Sequence, residues 1–450
     1  MKQFNKLLLA SFFLIPFQLF ADDLKSDVLS MRERAKVRDT LLKDRFESVL
    51  PNIMRRNNID MWLIIAREYN EDPVIRTMLP ATWLNARRRT VLVVFDPGNN
   101  KPLETYAVAR YAVGEVFKKA WDPEAQPDQY NALAELIKQK NPKKIGINKS
   151  EFFAQADGLS STEYDLLNKA LPRKYQKRIV SATNVAVGWL ETRSAKEMEI
   201  YPEICRIAHD IIKEGFSSNV ITPGVTTTDD IVWWYRERIR ELNFVTWFHP
   251  SVSIQRGDKQ NFNFLESFSN AKPDNTVLPG DLLHVDFGIT YLGLNTDTQQ
   301  HSYVLMPGEN TVPNELTKAL ATGNRLQDIL TNQFKTGRTG NEMLLSALEQ
   351  AKSEGINPQI YTHPIGYYGH GSGPTIGMWD KQEGVPVNGD YPLYPNTAYS
   401  IELNAKVFIK SWGKEVAIQL EEDAFFDGET CEYIDPRQTE MIVIDWETDK

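Results

Sequence analysis

Asp286 and Asp297 stand eleven residues apart in a chain of 450, and Glu402 and Glu421 follow them in its C-terminal half. Asp286 closes the run Leu282-Leu283-His284-Val285, Glu402 lies in Tyr399-Ser400-Ile401-Glu402-Leu403, and Glu421 follows Ala417-Ile418-Gln419-Leu420. A carboxylate in such an apolar run faces burial, which is costly unless it is paired or bound to a cation. Several carboxylates cannot share one cleft without a cation to offset their repulsion. Of the six histidines, His249, His284, His301, His363 and His370 all fall between positions 249 and 370. Four carboxylates with imidazole suit two divalent ions, manganese first and then cobalt, zinc or iron, rather than a thiolate-held zinc. A pair of such ions activates water for hydrolysis.

The elements around these residues must bring them together. Gly288, Gly293 and Asn295 suggest a hairpin that returns the chain to Asp297 beside Asp286. Strand-like segments run over Phe244 to Ile254, Asp281 to Tyr291, Ser302 to Leu305, Ala398 to Leu403, Val416 to Leu420 and Met441 to Ile444. Helical periodicity covers Lys196 to Phe216, Asp229 to Leu242 with Thr226-Thr227-Thr228 as candidate caps, Glu315 to Gln333, and Glu342 to Ser353. Helices first and polar-site strands later fit an α+β domain whose sheet holds the chemistry. His284 lies two residues before Asp286, so strand alternation puts both on one face. His284 and His249 read as structural or supporting histidines, His209 and His301 as helix or surface positions, and Trp233, Trp234 and Trp247 as core or interface residues.

The N-terminal half is different in kind. A helical pattern from Lys25 to about Asn57 precedes strand-like runs at Met61 to Ala66, Thr90 to Phe95, Tyr106 to Ala109 and Lys144 to Ile147, with a helix at Gln129 to Lys140. This alternation predicts an α/β layer ending near Ser181. Arg87-Arg88-Arg89 reads as a solvated start of a strand. Lys2 and Lys6, the apolar run Leu7 to Phe20 and the small Ala21 before Asp22-Asp23 read as a cleavable secretory signal, because fourteen residues interrupted by Pro16 are short for a bilayer span of ~20. The expected location is therefore secreted or periplasmic, without stable membrane insertion after cleavage. A net charge of −9 argues against nucleic acid or an anionic membrane as partner. Cys205 and Cys431 are expected to be unpaired thiols.

Through these residues the C-terminal half resembles the pita-bread metallopeptidases, which include Xaa-Pro aminopeptidase (aminopeptidase P), prolidase, methionine aminopeptidase and the related creatinase. Gly280-Asp281-Leu-Leu-His-Val-Asp286 is similar to the family's Gly-Asp-x-x-x-x-Asp, Asp297 to its second Asp, and Ile401-Glu402 and Leu420-Glu421-Glu422-Asp423 to its later Glu ligands. With residues 1–21 read as the signal, the resemblance implies a creatinase-like α/β domain at 22–182 and a pita-bread catalytic domain at 190–450. It further implies that Asp297 and Glu421 bridge two ions, that Asp286 binds one, and that Glu402 with a histidine binds the other. Two histidines compete for that last place. Gly369-His370-Gly371-Ser372-Gly373 looks like Gly-His-Gly-x-Gly and sets His370 as ligand with His363 near substrate. His363-Pro364-Ile365-Gly366 also resembles His-x-Ile-Gly, and would reverse the two. His370 is the preferred ligand here, on its spacing to Glu402.

The chain departs from the family at three positions. Ser269 stands in the stretch that carries a substrate-contacting histidine, Trp379 precedes Asp380 where a second catalytic histidine is expected, and Gln419 replaces an arginine two residues before the last Glu. The ligands survive while their helpers differ. The resemblance implies a secreted metallo-aminopeptidase or dipeptidase of Xaa-Pro type, in which a metal-activated hydroxide attacks the N-terminal peptide bond. Glu402 would be ligand and proton shuttle, and His363 or His370 would steady the tetrahedral intermediate. Such peptidases often associate through the N-terminal domain, so a homo-oligomer is expected. Two alternatives stand beside this: a metal- and peptide-binding homologue of weak turnover, and a metal-dependent hydrolase of a non-peptide amide or ester.

Overall fold

The computed structural model describes residue 24, residues 28–257 and residues 275–447. The expected signal segment and Ser269 lie outside the described residues. Helix α1 (Met31–Ser48) starts at Ser30, whose hydroxyl accepts from Glu33 N while the Glu33 side chain accepts from Ser30 N. The single helix expected to run to Asn57 stops at Val49, and α2 (Leu50–Arg56) restarts with Pro51 in its first turn. Proline has no N–H for the preceding turn and is best accommodated at such a start.

Six strands form the first sheet: β1 (Met61–Arg67), β2 (Arg89–Phe95), β3 (Glu104–Ala107), β4 (Lys118–Lys119), β5 (Ile145–Ile147) and β6 (Ile179–Ser181), in the order β4-β3-β2-β1-β5-β6. Pairings β1–β2 and β2–β3 are antiparallel, while β1–β5, β5–β6 and β3–β4 are parallel. Helices α3 (Gln129–Lys140) and α4 (Ser161–Ala170) lead into β5 and β6. Trp62 and Ile64 pack toward α1, α2 and α5 (Thr183–Glu191), whereas Met61, Leu63 and Ile65 pack toward α3. Burial on both faces is why this strand reads as an unbroken apolar run. Arg87 and Arg88 are exposed before β2, as expected, with Arg87 stacked on Trp83.

Ser194 and Glu197 cap α6 (Ala195–Gly215) reciprocally, and Thr227 does the same with Asp230 for α7 (Thr228–Glu241). One sheet has the order β19-β11-β8-β7, from β7 (Ser251–Gln255), β8 (Leu282–Phe287), β11 (Thr298–Val304) and β19 (Ile442–Ile444). A short hairpin, β9 (Thr290–Tyr291) with β10 (Leu294–Asn295), turns the chain from β8 to β11 as expected. A second sheet joins β12 (Asn357–Ile360), β15 (Leu403–Ile409) and β16 (Lys414–Leu420). A third joins β13 (His363–Ile365), β14 (Thr397–Ser400), β17 (Asp423–Phe426) and β18 (Cys431–Tyr433). Leu283, Val285 and Phe287 pack toward α6 and α7, and Ile418 and Leu420 toward α8 (Asn314–Thr331) and α9 (Gly340–Ser353). Helices back the sheets, so the alternate residues, among them His284, Asp286, Gln419 and Glu421, occupy the opposite faces.

Two expected strands are cut shorter. The chain from Phe244 to Pro250 makes one isolated bridge, Val245 to Thr290, and only β7 continues as strand. The run Ala398 to Leu403 divides at Ile401-Glu402 into β14 and β15, which belong to different sheets. Glu402 thus sits at the crossing between two sheets. Among the described residues no helix is long and apolar enough to cross a membrane.

Candidate metal centre

Three sheets meet where the acids lie. β8 and β11 pair antiparallel with Asp286 opposite Gln299, so Asp297, two residues before Gln299, arrives beside Asp286. Gln299 also forms a bridge with Glu421: Gln299 N donates to Glu421 O (2.9 Å) and Glu421 N donates to Gln299 O (3.2 Å). That bridge stitches the end of β16 to β11. On the third sheet His363 pairs with Ser400 and Ser400 with Asp423. The Ser400 hydroxyl donates to Glu421 Oε1 at 2.7 Å.

The result is a cluster of buried Asp286, Asp297, His363 and Glu421 with half-buried Glu402, in which Asp286, Asp297 and Glu421 offer oxygens within 4.8 Å of one another, as do ligand atoms of His363, Glu402 and Glu421. His363 Nε2 lies 3.4 Å from Glu421 Oε1, 3.5 Å from Asp297 Oδ2 and 4.0 Å from Glu402 Oε2. Its Nδ1–H donates to Pro364 O at 3.1 Å, which fixes the tautomer and leaves Nε2 to face the acids. Asp286 Oδ1, Asp297 Oδ1 and His363 Nε2 are buried without a hydrogen-bond partner. Unpartnered buried atoms of this kind are costly in an ordinary core.

The electrostatics point the same way. Burial, then the charge on Glu421, pushes the carboxyls of Asp286, Asp297 and Glu402 well above the usual carboxylate range. Burial alone would lower His363, but the Glu421 carboxylate 3.4 Å from Nε2, with Glu402 beyond it, raises it to about 9. The acids cannot all be ionised beside one imidazole, so the donor set fits divalent cations.

The two histidines are unequal. His363 is buried and reaches Asp297, Glu402 and Glu421, whereas His370 is exposed and shares a candidate ligand group only with Asp297 and His363. The His370 ring packs edge-on against His363 and Trp247, at centroid distances of 4.8 and 5.0 Å. Burial of part of that ring, then the His363 charge, lowers it to about 4. A Cβ on Gly369 would collide with the Trp247 ring, so only glycine lets this loop close on the site. Trp247 Nε1 donates to Thr296 O at 3.1 Å, next to Asp297. Trp247 is therefore a wall of the site rather than a core filler, and Trp233 is 54% exposed.

Several supporting residues were silent in the sequence. Gln299 Nε2 donates to Glu402 Oε1 (2.6 Å) and Glu421 Oε2 (2.7 Å), holding the two carboxylates from opposite sheets. Its own Oε1 accepts from His284 Nε2–H at 2.9 Å, and Ser253 Oγ stands 3.5 Å from His284 Nδ1. His284 is thus a supporting histidine on the Asp286 face, held neutral by burial and by His301, which lower it to about 3. Alternation from Asp297 could have flagged Gln299, since the two share a face. His301, expected at the surface, is fully buried: its Nδ1–H donates to Leu283 O (3.1 Å) and Nε2 accepts from Gln419 N (3.0 Å). His209 is on helix α6 but buried, bridging Glu422 (2.7 Å) and Asp435 (2.6 Å) behind Glu421. His249 is exposed, 3.0 Å from Arg236 Nη1 and edge-on to Trp233. Both cysteines are free, Cys205 donating to Asp423 Oδ2.

The family model of metallopeptidase family M24 matches residues 199–426. No curated protein matches the chain. Among solved structures, the X-Pro aminopeptidase of Thermotoga maritima MSB8 is 17% identical with a TM-score of 0.61, covering 87% of this chain and 100% of that one. A Xaa-Pro dipeptidase from Bacillus anthracis is also 17% identical, with a TM-score of 0.57 and coverage of 92% and 100%. The N-terminal domain of the FACT complex subunit SPT16 from Cicer arietinum (chickpea) has 12% identity, a TM-score of 0.51 and coverage of 92% and 99%. At these identities the likeness establishes the pita-bread fold with a domain before it, and the fold alone does not fix an activity.

Proposed function

The chain belongs to metallopeptidase family M24, and from that premise we propose that it is a metal-dependent peptidase holding two divalent ions among Asp286, Asp297, His363, Glu402 and Glu421. The observation that carries this reading is a trio of buried, unpartnered atoms, Asp286 Oδ1, Asp297 Oδ1 and His363 Nε2, on residues that gather in one acidic cluster. Asp297 and Glu421, central to that cluster, would contribute to holding both ions. His363 is assigned as the imidazole ligand and His370 as the substrate-facing histidine, the reverse of the sequence preference, because only His363 is buried with Nε2 toward three carboxylates.

Bound ions of this kind supply an activated water and polarise the scissile carbonyl. The protein's own groups do the rest. Gln299 holds Glu402 and Glu421 at fixed positions, leaving Glu402 Oε2 to take and return a proton. His370, neutral and partly open to solvent, is placed to donate a hydrogen bond to the oxygen that gains charge. Acidic groups around the cleft favour a free α-amine, which supports an aminopeptidase or dipeptidase acting on an N-terminal bond. The Xaa-Pro type follows from the similar structures, an X-Pro aminopeptidase and a Xaa-Pro dipeptidase among them, and the lysine-led apolar segment at the start supports export. Manganese is the first metal to try.

The test is turnover by the mature chain with Mn²⁺, Co²⁺ or Zn²⁺ on Xaa-Pro dipeptides, longer Xaa-Pro peptides and Met-peptides, with Glu402→Ala as control. Wild type should cleave and the variant should not; equal inertness of two folded proteins overturns the peptidase. A second reading, a binding homologue of weak turnover, is favoured by Gln419 in place of arginine, and it predicts metal uptake without cleavage.

A further inference from the structure

The loop that carries His370 is held from outside the domain it belongs to. Three side-chain hydrogen bonds tie it to the N-terminal domain: the Tyr368 hydroxyl donates to Pro73 O (2.8 Å), Gln155 Nε2 donates to His370 O (2.8 Å), and Ser372 Oγ donates to Gln155 Oε1 (3.0 Å). One amide thus grips the loop on both sides of Gly371. Because His370 O can only accept, the orientation of that amide is fixed, with its –NH2 toward His370 and its oxygen toward Ser372.

The anchors are themselves immobilised. Gln155 stands in a single 3-10 turn, Ala154–Ala156. Phe153 and Ala156 on either side of it are buried in the core, Phe153 edge-on to Tyr391 at a centroid distance of 5.5 Å. Behind the turn runs a chain of polar groups that are at most 1% exposed: Trp62 Nε1 donates to Asn148 Oδ1 (2.7 Å), Asn148 Nδ2 donates to Asp72 Oδ2 (2.9 Å), and Asp72 Oδ1 accepts from Val74 N (2.7 Å). This chain serves both anchors. Asp72 immediately precedes Pro73, and a Cβ on Gly158 would collide with the Asp72 carboxyl, so the segment leaving the Gln155 turn packs directly on it. A buried polar network whose members are paired specifies one arrangement rather than many.

What this platform holds matters to the site. Among the described residues the His370 ring makes no hydrogen bond; it is set only by its backbone and by edge-on contact with His363 and Trp247. A group that must meet a substrate loses on the order of 10²-fold in rate when displaced by ~1 Å. We propose that Gln155 is a positioning residue of the catalytic centre: from the N-terminal domain it fixes the backbone of His370 and Ser372, and through them the direction of the His370 imidazole. This rests on the peptidase reading with His370 facing substrate, and it gives the N-terminal domain a task in the reaction.

The experiment is a double-mutant cycle on the full chain loaded with Mn²⁺. On an Xaa-Pro peptide, Gln155→Leu should lower kcat by roughly 10–100-fold, with Mn²⁺ binding unchanged by titration. In a His370→Ala background the same substitution should cost less than ~3-fold, because its effect passes through the missing ring. No cost in the first background, equal cost in both, or a parallel loss of Mn²⁺ binding overturns the assignment. Ser372→Ala, which removes one arm of the clamp without touching the N-terminal domain, carries the same comparison if Gln155→Leu does not fold. A second readout needs no turnover: the rate at which diethyl pyrocarbonate modifies His370, followed by peptide mass spectrometry with exposed His249 as internal reference. Gln155→Leu should speed it by roughly 3-fold or more as the loop opens, and an unchanged ratio to His249 overturns the clamp. Inert, folded wild type removes the peptidase reading, and the modification rates then decide by themselves whether Gln155 holds His370.

Discussion

Two buried charge clusters lie on either side of the loop around Gly366, and they are solved in opposite ways. In one, Glu197 is fully buried between Arg45 Nη1 at 2.7 Å and Arg193 Nη1 at 3.4 Å, both also fully buried. Burial opposes its ionisation, yet the two guanidiniums hold its carboxyl below the usual range. Arg45 additionally donates to the carbonyls of Thr192 and Trp189, and the rings of Trp189 and Tyr367 lie against it. In the other cluster, Asp286, Asp297, Glu402 and Glu421 face a single imidazole, and the carboxyls of Asp286, Asp297 and Glu402 are pushed upward. A buried charge compensated inside the chain ties the structure together. A buried charge left uncompensated is matched to something the chain does not supply.

This contrast can be broken at several points. The largest effect is expected on activity: Asp297→Ala removes a proposed ligand from the cluster and should cost on the order of 10³-fold or more in kcat/KM, read with saturating Mn²⁺, while the unfolding midpoint of the metal-free protein does not fall. The converse is expected at the compensated cluster. Arg45→Met leaves Glu197 with half of its compensation and should cost about 3–5 kcal/mol in denaturant unfolding, with little effect on kcat in protein that remains folded.

A third charged group, His209 between Glu422 and Asp435, gives the contrast a pH signature. Burial works against its charge, but the Glu422 charge and the two hydrogen bonds raise it to about 10 from an ordinary 6.5. Its folded pKa exceeds its unfolded one, so its stabilisation is complete below pH ~6.5 and is lost as pH rises toward ~10. Denaturant stability of wild type should therefore fall over that window by a few kcal/mol more than that of His209→Gln, because each tenfold gain in proton affinity on folding is worth about 1.4 kcal/mol.

How much of this was legible in the sequence depends on whether a residue's partners are near or far along the chain. Asp286, Glu402 and Glu421 were visible because each sits in its own apolar run, and Asp297 because the glycines and Asn295 of the hairpin from Asp286 are local. Gln299 was invisible as a bracket for Glu402 and Glu421, since its partners lie 103 and 122 residues away. Spacing alone carried no information on which of His363 and His370 is buried among the acids, for the same reason: that depends on which histidine stands on a strand beside Ser400, and β13 is three residues long. His301 misled because a histidine in a polar stretch, Thr298 to Ser302, looks solvated, whereas the strand lies at the seam with β16. Pro51 did announce a break in the first helix, and the periodic apolar pattern on both sides of it masked the signal.

Two smaller effects sharpen the comparison. Gln299→Leu leaves every ligand in place and removes the bracket, and should weaken Mn²⁺ affinity or activity by roughly 10–100-fold, measured by titration and initial rates. Gln419→Leu removes two unpartnered polar atoms from a buried position and should raise unfolding stability by about 1 kcal/mol, read in denaturant unfolding.

The central claim is that the uncompensated acids hold a pair of divalent ions. The most direct measurement is the metal content of protein dialysed after Mn²⁺ loading, by mass spectrometry, for wild type and Asp297→Ala. Two ions per chain in wild type and at most one in the variant is the predicted result; no retained metal in wild type, or equal content in both, would contradict it.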